Sequence, residues 1–199
     1  MEKQVIISIS REFGSGGHEI AEMIAKDLNL ALYDRNLLDK VAEENGMRPE
    51  HIAKYDEKPR NPFLSRRVGE HSNSIEENIA EMQFEYLKNK AESGESFVVV
   101  GRCAETVLKN YSGLISIFVL ADREKKILHI EKKYQLDEQE AISKMNRHDR
   151  KRKFYHNRHS DFKWGDSRGY DVCINSSRLG LEKTVEVLED YIAKRKQNI

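Results

Sequence analysis

Val5-Ile6-Ile7-Ser8-Ile9-Ser10-Arg11-Glu12-Phe13-Gly14-Ser15-Gly16-Gly17-His18-Glu19 is the stretch from which the rest of the chain can be read. Its first six residues are short, apolar and β-branched, as a buried strand should be. Glycines follow at 14, 16 and 17, and Ile20, Met23, Ile24 and Leu28 then recur at helical spacing. The reading is strand, glycine loop, helix. A turn of this kind aims backbone N–H groups and the positive helix terminus at one point, which suits an anion. The same glycines are equally compatible with a tight turn that binds nothing.

Outward from this unit, Ala31-Leu32-Tyr33 reads as a short second strand. Asp34 is placed either to cap a helix over 35–45, carrying Leu37, Leu38 and Val41, or to contact a substrate. Phe97-Val98-Val99-Val100 and Ile115-Ser116-Ile117-Phe118-Val119-Leu120 read as buried strands, with Val172-Cys173-Ile174 as a weaker last one. Ser74 and Glu77 form a capping box ahead of Ile75, Ile79, Met82 and Tyr86. Asp122 opens a further helix, and Leu181, Val185, Leu188 and Ile192 line the last. Strands alternating with helices predict an α/β domain: a parallel sheet of about five strands with helices on both faces. All three prolines, Pro49, Pro59 and Pro62, fall in 46–73, a charged stretch that reads as a loop or small helical excursion able to move over a site.

The 199 residues suit one domain, spanning 1–199. Lysine plus arginine and aspartate plus glutamate both number 34, which argues against binding nucleic acid through bulk charge. No apolar run exceeds about five residues, and no apolar signal core follows Met1. Cys103 and Cys173 make neither a disulfide framework nor a metal-ligand spacing, so a reduced, cytoplasmic protein away from membranes is expected. Charge is nonetheless local. Residues 144–168 carry nine lysines and arginines against three acids, a combination that favours a small anionic ligand.

A full P-loop reads G-x-x-x-x-G-K-[ST], with the lysine reaching the phosphates and the hydroxyl on magnesium. Superposed on it, Ser10 takes the first glycine's place, Gly17 the lysine's and His18 the hydroxyl's. The backbone cradle survives and its key side chains do not. Arg11, just outside the first strand, is the candidate replacement for the lysine. His18 is placed to donate to phosphate or to be merely exposed. Glu19 is placed to hold magnesium or only to complement the helix dipole.

Ile9–Gly17 followed by Tyr33-Asp34-Arg35 resembles the cytidylate kinase-like family, a divergent branch of P-loop nucleoside monophosphate kinases. Gly101-Arg102, Asp149-Arg150-Lys151-Arg152, Trp164-Gly165-Asp166, Tyr170-Asp171 and Ile174–Gly180 also match, in order, over nearly the whole chain. The resemblance implies a three-layer P-loop kinase fold with an acceptor-binding insertion at about 35–95 and a mobile lid at about 144–168. It implies ATP and Mg²⁺, with CMP or dCMP as acceptor. Phe13, Gly14, Ser15, Gly16, Gly17, His18 and Glu19 would hold the donor, Arg102 the acceptor phosphate, and Asp34 the acceptor or Arg102 itself. Arg147, Arg150 and Arg152 match lid arginines that close on the transferring group. By spacing, Arg147 and Arg150 share one helix face and Arg152 lies on another.

Cys103 stands where the family keeps an aspartate, and a thiol is a poor magnesium ligand. Glu105 is near enough in sequence to substitute. Trp164 is placed either to stack on a base or to pin the end of the lid. Cys173 reads as a small buried hydrophobe. Alternatives to a cytidylate kinase are a nucleotide-binding or regulatory protein that has lost turnover and a kinase of a different small molecule. Association into a homo-oligomer is compatible with the sequence.

Overall fold

The computed structural model describes residues 3–34, 36–46, 48, 50 and 75–199, together with the backbone of 67–68 and 71–72. Arg35, Ser74, the three prolines and most of 46–73 lie outside the described residues, and with them the capping box and the reading of that stretch.

The chain runs β1 (Ile6–Arg11), α1 (Gly17–Asp27), β2 (Ala31–Tyr33), α2 (Leu37–Glu44), the two-residue strands β3 (Arg67–Val68) and β4 (His71–Ser72), and α3 (Ile75–Glu92). It continues with β5 (Phe97–Val100), α4 (Ala104–Val107), β6 (Leu114–Leu120), α5 (Arg123–Tyr134), α6 (Glu138–His159), β7 (Val172–Asn175), α7 (Ser176–Leu179) and α8 (Leu181–Gln197). Five strands form a parallel sheet in the order β2-β5-β1-β6-β7, while β3 and β4 pair antiparallel apart from it.

β1 is central because its alternating side chains feed both layers. Ile7 and Ile9 pack with Ile20 and Ile24 of α1 and with Val185, Leu188 and Ile192 of α8. Ile6 packs on the opposite face with Phe97, Leu37, Val41 and Leu87. Each fully buried isoleucine contributes about 1.5–3 kcal/mol by leaving water. With the sheet covered on both faces, the exposed strand ends are where ligands bind, at the carboxyl edge beside the central strand. The glycine loop emerges there.

α2 begins two residues later than the sequence suggests, with Asn36 at its N-cap. Asp34 instead accepts the Asn36 backbone N–H at 3.1 Å, forming a turn ahead of the helix. α6 starts at Glu138 behind a complete capping box from Asp137, so the basic cluster lies in the interior of a continuous 22-residue helix. Among the described residues, no helix is long and apolar enough to cross a membrane.

Candidate functional site

The glycine loop forms one wall of a cleft of about 630 Å³. Arg11, Phe13, Gly14, Gly16, Gly17, His18, Glu19, Asp34, Arg102 and Arg152 all line it. Arg11 is built into this wall. A Cβ on Gly17 would lie 2.5 Å from Arg11 Cβ and 3.0 Å from its Cγ, so only glycine admits that stem. At the far end, Arg11 Nη1 lies 2.5 Å from where a Cβ on Gly101 would stand. Two glycines therefore make room for one arginine, and the first occupies the P-loop lysine's position.

Arg102 reaches the cleft from the turn after β5. It is only 7% exposed. Gly101, Arg102 and Cys103 follow one another at φ of 78°, 61° and 52°. Two consecutive non-glycine residues in the left-handed region cost about 1–3 kcal/mol each, a strain that concentrates at functional sites. The turn sends Arg102 to the cleft and buries Cys103.

Three elements distant in sequence anchor the loop. The Phe13 N–H donates to Asp149 Oδ1 of α6 at 2.7 Å. Lys126 Nζ of α5 donates to Glu12 Oε2 at 2.9 Å and stands 3.8 Å from Asp149. Burial holds the Asp149 carboxyl above its ordinary range, against the pull of the Phe13 N–H and Lys126. Ser176 Oγ donates to the Ser15 carbonyl at 2.6 Å. Within the loop, Ser15 Oγ donates to the Glu12 carbonyl at 2.9 Å. Ser15 is buried beneath the cradle and does not line the cleft.

α6 resolves the three lid candidates. Arg152 shares a face with His148 and Asp149, and Nη1 donates to the Arg11 carbonyl at 3.1 Å. Its guanidinium stands 5.4 Å from the Phe13 ring centroid, and that ring also stacks on His148 at 4.2 Å and 7° and on Tyr134 at 5.8 Å. Arg147 points elsewhere, beside Gln139, Ser143 and Lys144 on a shallow outer depression. Arg150 is exposed, and neither lines the cleft. Helical phase separates them: the face that Arg147 and Arg150 share is turned outward.

α5 brings groups that sequence reading missed. His129, Ile130, Lys133 and Tyr134 line the cleft opposite α1. Lys133 Nζ bonds Glu19 Oε1, and His129 Nε2 is 3.4 Å from the same oxygen. The His129 hydrogen bond outweighs burial and, with Lys133, holds the Glu19 carboxyl far below its usual range. His18 lies 3.6 Å from Asp34 and 3.5 Å from Glu22. Only the spacing of 129, 130, 133 and 134 along one helical face could have signalled the α5 group, and it resembles any amphipathic helix.

Two expectations fall away, and for Trp164 one of two readings does. Glu105 turns to the opposite face of the sheet, where its carboxylate accepts from Ser8 Oγ and Ser10 Oγ and meets His156 Nε2 at 2.8 Å. It does not line the cleft and cannot replace the missing aspartate there. Cys173 is exposed because β7 is a four-residue edge strand. Trp164 packs edge-to-face on Phe118 at 5.4 Å, away from the cleft, pinning the segment after α6.

Comparison with known proteins fits this geometry. None of the curated proteins matches the sequence. The crystal structure of an uncharacterized protein from Eubacterium ventriosum is 36% identical, with a TM-score of 0.77 over 96% of this chain and 99% of that one. Shikimate kinase from Acinetobacter baumannii, in complex with shikimate, shares the fold at 12% identity and TM-score 0.54, over 98% and 96% of the two chains. Shikimate kinase from Bacteroides thetaiotaomicron does so at 14% and 0.52, over 95% and 98%. The model of the cytidylate kinase-like family matches residues 6–178, which include the glycine loop, the Arg102 turn and the Arg152 face, and the chain belongs to that family.

Proposed function

We propose that this protein transfers the γ-phosphoryl group of ATP, with Mg²⁺, to a nucleoside monophosphate, CMP or dCMP. The observation that carries this reading is the convergence of Arg11, Arg102 and Arg152 on one glycine loop from three separate elements. An acceptor phosphate oxygen attacks the γ-phosphorus, the bond to the β-phosphate oxygen breaks, and ADP leaves. A phosphate acceptor is already anionic, so the step needs cations and alignment more than a base. Arg102 takes the acceptor phosphate as a bidentate fork. Arg11 supplies the charge that the loop lysine supplies elsewhere, and Arg152 approaches from α6 while helping to exclude water. The choice of cytosine rests on family membership.

Magnesium in such sites is held by one or two carboxylates together with substrate phosphates and water. Among the described residues no group of three or more His, Cys, Asp or Glu side chains forms a metal cluster. Asp34 and Asp39 line the cleft and fit an ion that arrives with its phosphates; they would hold it. When bound, it would neutralise charge on the transferring group.

A second reading has one observation behind it. Asp34 beside His18 is a carboxylate placed to take a proton, which an alcohol acceptor requires and a phosphate acceptor does not. A coupled ADP-release assay with ATP, Mg²⁺ and CMP, dCMP, UMP, AMP and small polyols separates the two. Turnover selective for CMP or dCMP is expected. Turnover only with a polyol supports the alcohol reading, and ATP binding without turnover on any acceptor means that the fold has kept its ligand and lost the reaction.

A further inference from the structure

One of the carboxylates that line the cleft is held between two basic side chains. Glu19, in the first turn of α1, presents its carboxylate to Lys133 and His129 of α5, and all three line the cleft. That side of the cleft has no lysine from the loop, because Gly17 stands in its place. Arg11 brings its charge to the other end of the cleft, since its side chain runs from Gly17 to Gly101 at the end of β5. Lys133 is 42% exposed at its side chain, so it can turn from one anion to another without unpacking α5. His129, at 29%, has similar freedom.

Resting on the donor reading above, we infer that Glu19 occupies the place of a donor phosphate and that Lys133 is a donor-phosphate ligand held ready by it. The ligand class is a nucleoside triphosphate or another polyphosphate. Its phosphate tail displaces the carboxylate and takes over Lys133, and His129 follows the exchange. A dianionic phosphate group outcompetes a monoanionic carboxylate for the same ammonium because charge-assisted hydrogen bonds strengthen with the acceptor's charge. Glu19 thereby keeps a cation in the cleft when no ligand is there, and sets a threshold that weakly charged ligands do not pass.

Calorimetric titration of the full chain with MgATP and with tripolyphosphate tests the exchange, with thermal melts as a control for folding. Glu19→Gln keeps the size and removes the competing charge, and it should tighten both ligands by on the order of tenfold. Lys133→Ala should weaken both by a similar factor, with Lys133→Arg recovering most of the loss. In the double variant the gain from Glu19→Gln should vanish, because the two residues act on one another. Weaker binding in Glu19→Gln, or unchanged binding in Lys133→Ala while the wild type binds, overturns the exchange and leaves the donor reading standing. A wild type that binds neither ligand removes both.

Discussion

Arg11 and the basic run at 144–168 reach the cleft by opposite routes. Arg11 is one cation for which the backbone was cleared: glycine at 17 admits its stem and glycine at 101 its guanidinium. The basic run offers nine cations, yet of its three arginine candidates only Arg152 faces the loop, through a bond to the Arg11 carbonyl. The number of charges in a segment therefore says little about the charge in a site. What counts is helical phase in one case and the space left by missing side chains in the other.

Replacing Arg11 should have the largest effect. Arg11→Ala is expected to lower phosphoryl transfer by on the order of 10³-fold while the far-ultraviolet circular dichroism stays unchanged. An active Arg11→Ala enzyme would show that the cleared space serves something else. Within the basic run, Arg152→Ala should cost about 10²-fold in kcat/KM, whereas Arg147→Ala and Arg150→Ala should each stay within about twofold. Equal losses in the three would mean that the outer face of α6 turns inward during turnover.

The cleared space can be probed through stability as well. Gly17→Ala forces a Cβ against the Arg11 stem and should destabilise the protein by about 1–3 kcal/mol in urea melts. In an Arg11→Gly background most of that cost should disappear, because the clashing atoms are gone. A cost that persists in full would locate the clash in Val119, whose Cβ lies 3.2 Å from the same point.

The smallest expected effect concerns His148, which burial and then Arg152, Arg147 and Lys144 hold down to about 4. A folded pKa below the unfolded one, near 6.5, means that the unfolded chain binds the proton first, so stability is lost as pH falls from about 6.5 to about 4. His148→Phe keeps a ring on Phe13 and removes the titration. Its Tm should fall less than the wild type's across that window. Parallel Tm curves would assign the acid sensitivity to other groups, His159 among them, since burial lowers it to about 4 as well.

Much of the fold was legible in the sequence because strand and helix periodicities are local. β5 coincides with its predicted run, and Val185, Leu188 and Ile192 fall on the buried face of α8 as their spacing requires. Apart from Arg152, which the family resemblance supplied, the residues of the cleft that the sequence pointed to sit on the loop or at a strand end, as Arg11, His18, Glu19, Asp34 and Arg102 do. Lys133 and His129 were not legible, since their place opposite α1 depends on how α5 packs across the sheet. Glu105 shows the converse. Two residues from Cys103 in sequence, it lies across the sheet from the cleft because the left-handed turn at 102–103 intervenes. Asp34 failed as a helix cap for a smaller reason, the two-residue delay before α2 begins.

The tie from Ser176 to the Ser15 carbonyl joins residues 161 positions apart. Leu181 closes the same spot, with Cδ2 lying 2.3 Å from where a Cβ on Gly16 would stand. During synthesis β1 and α1 emerge from the ribosome long before either partner exists. The glycine loop is thus completed by residues far downstream of it. A nascent chain that has made β1 and α1 therefore has strand and helix without a finished loop, which closes only when α7 and α8 dock on it.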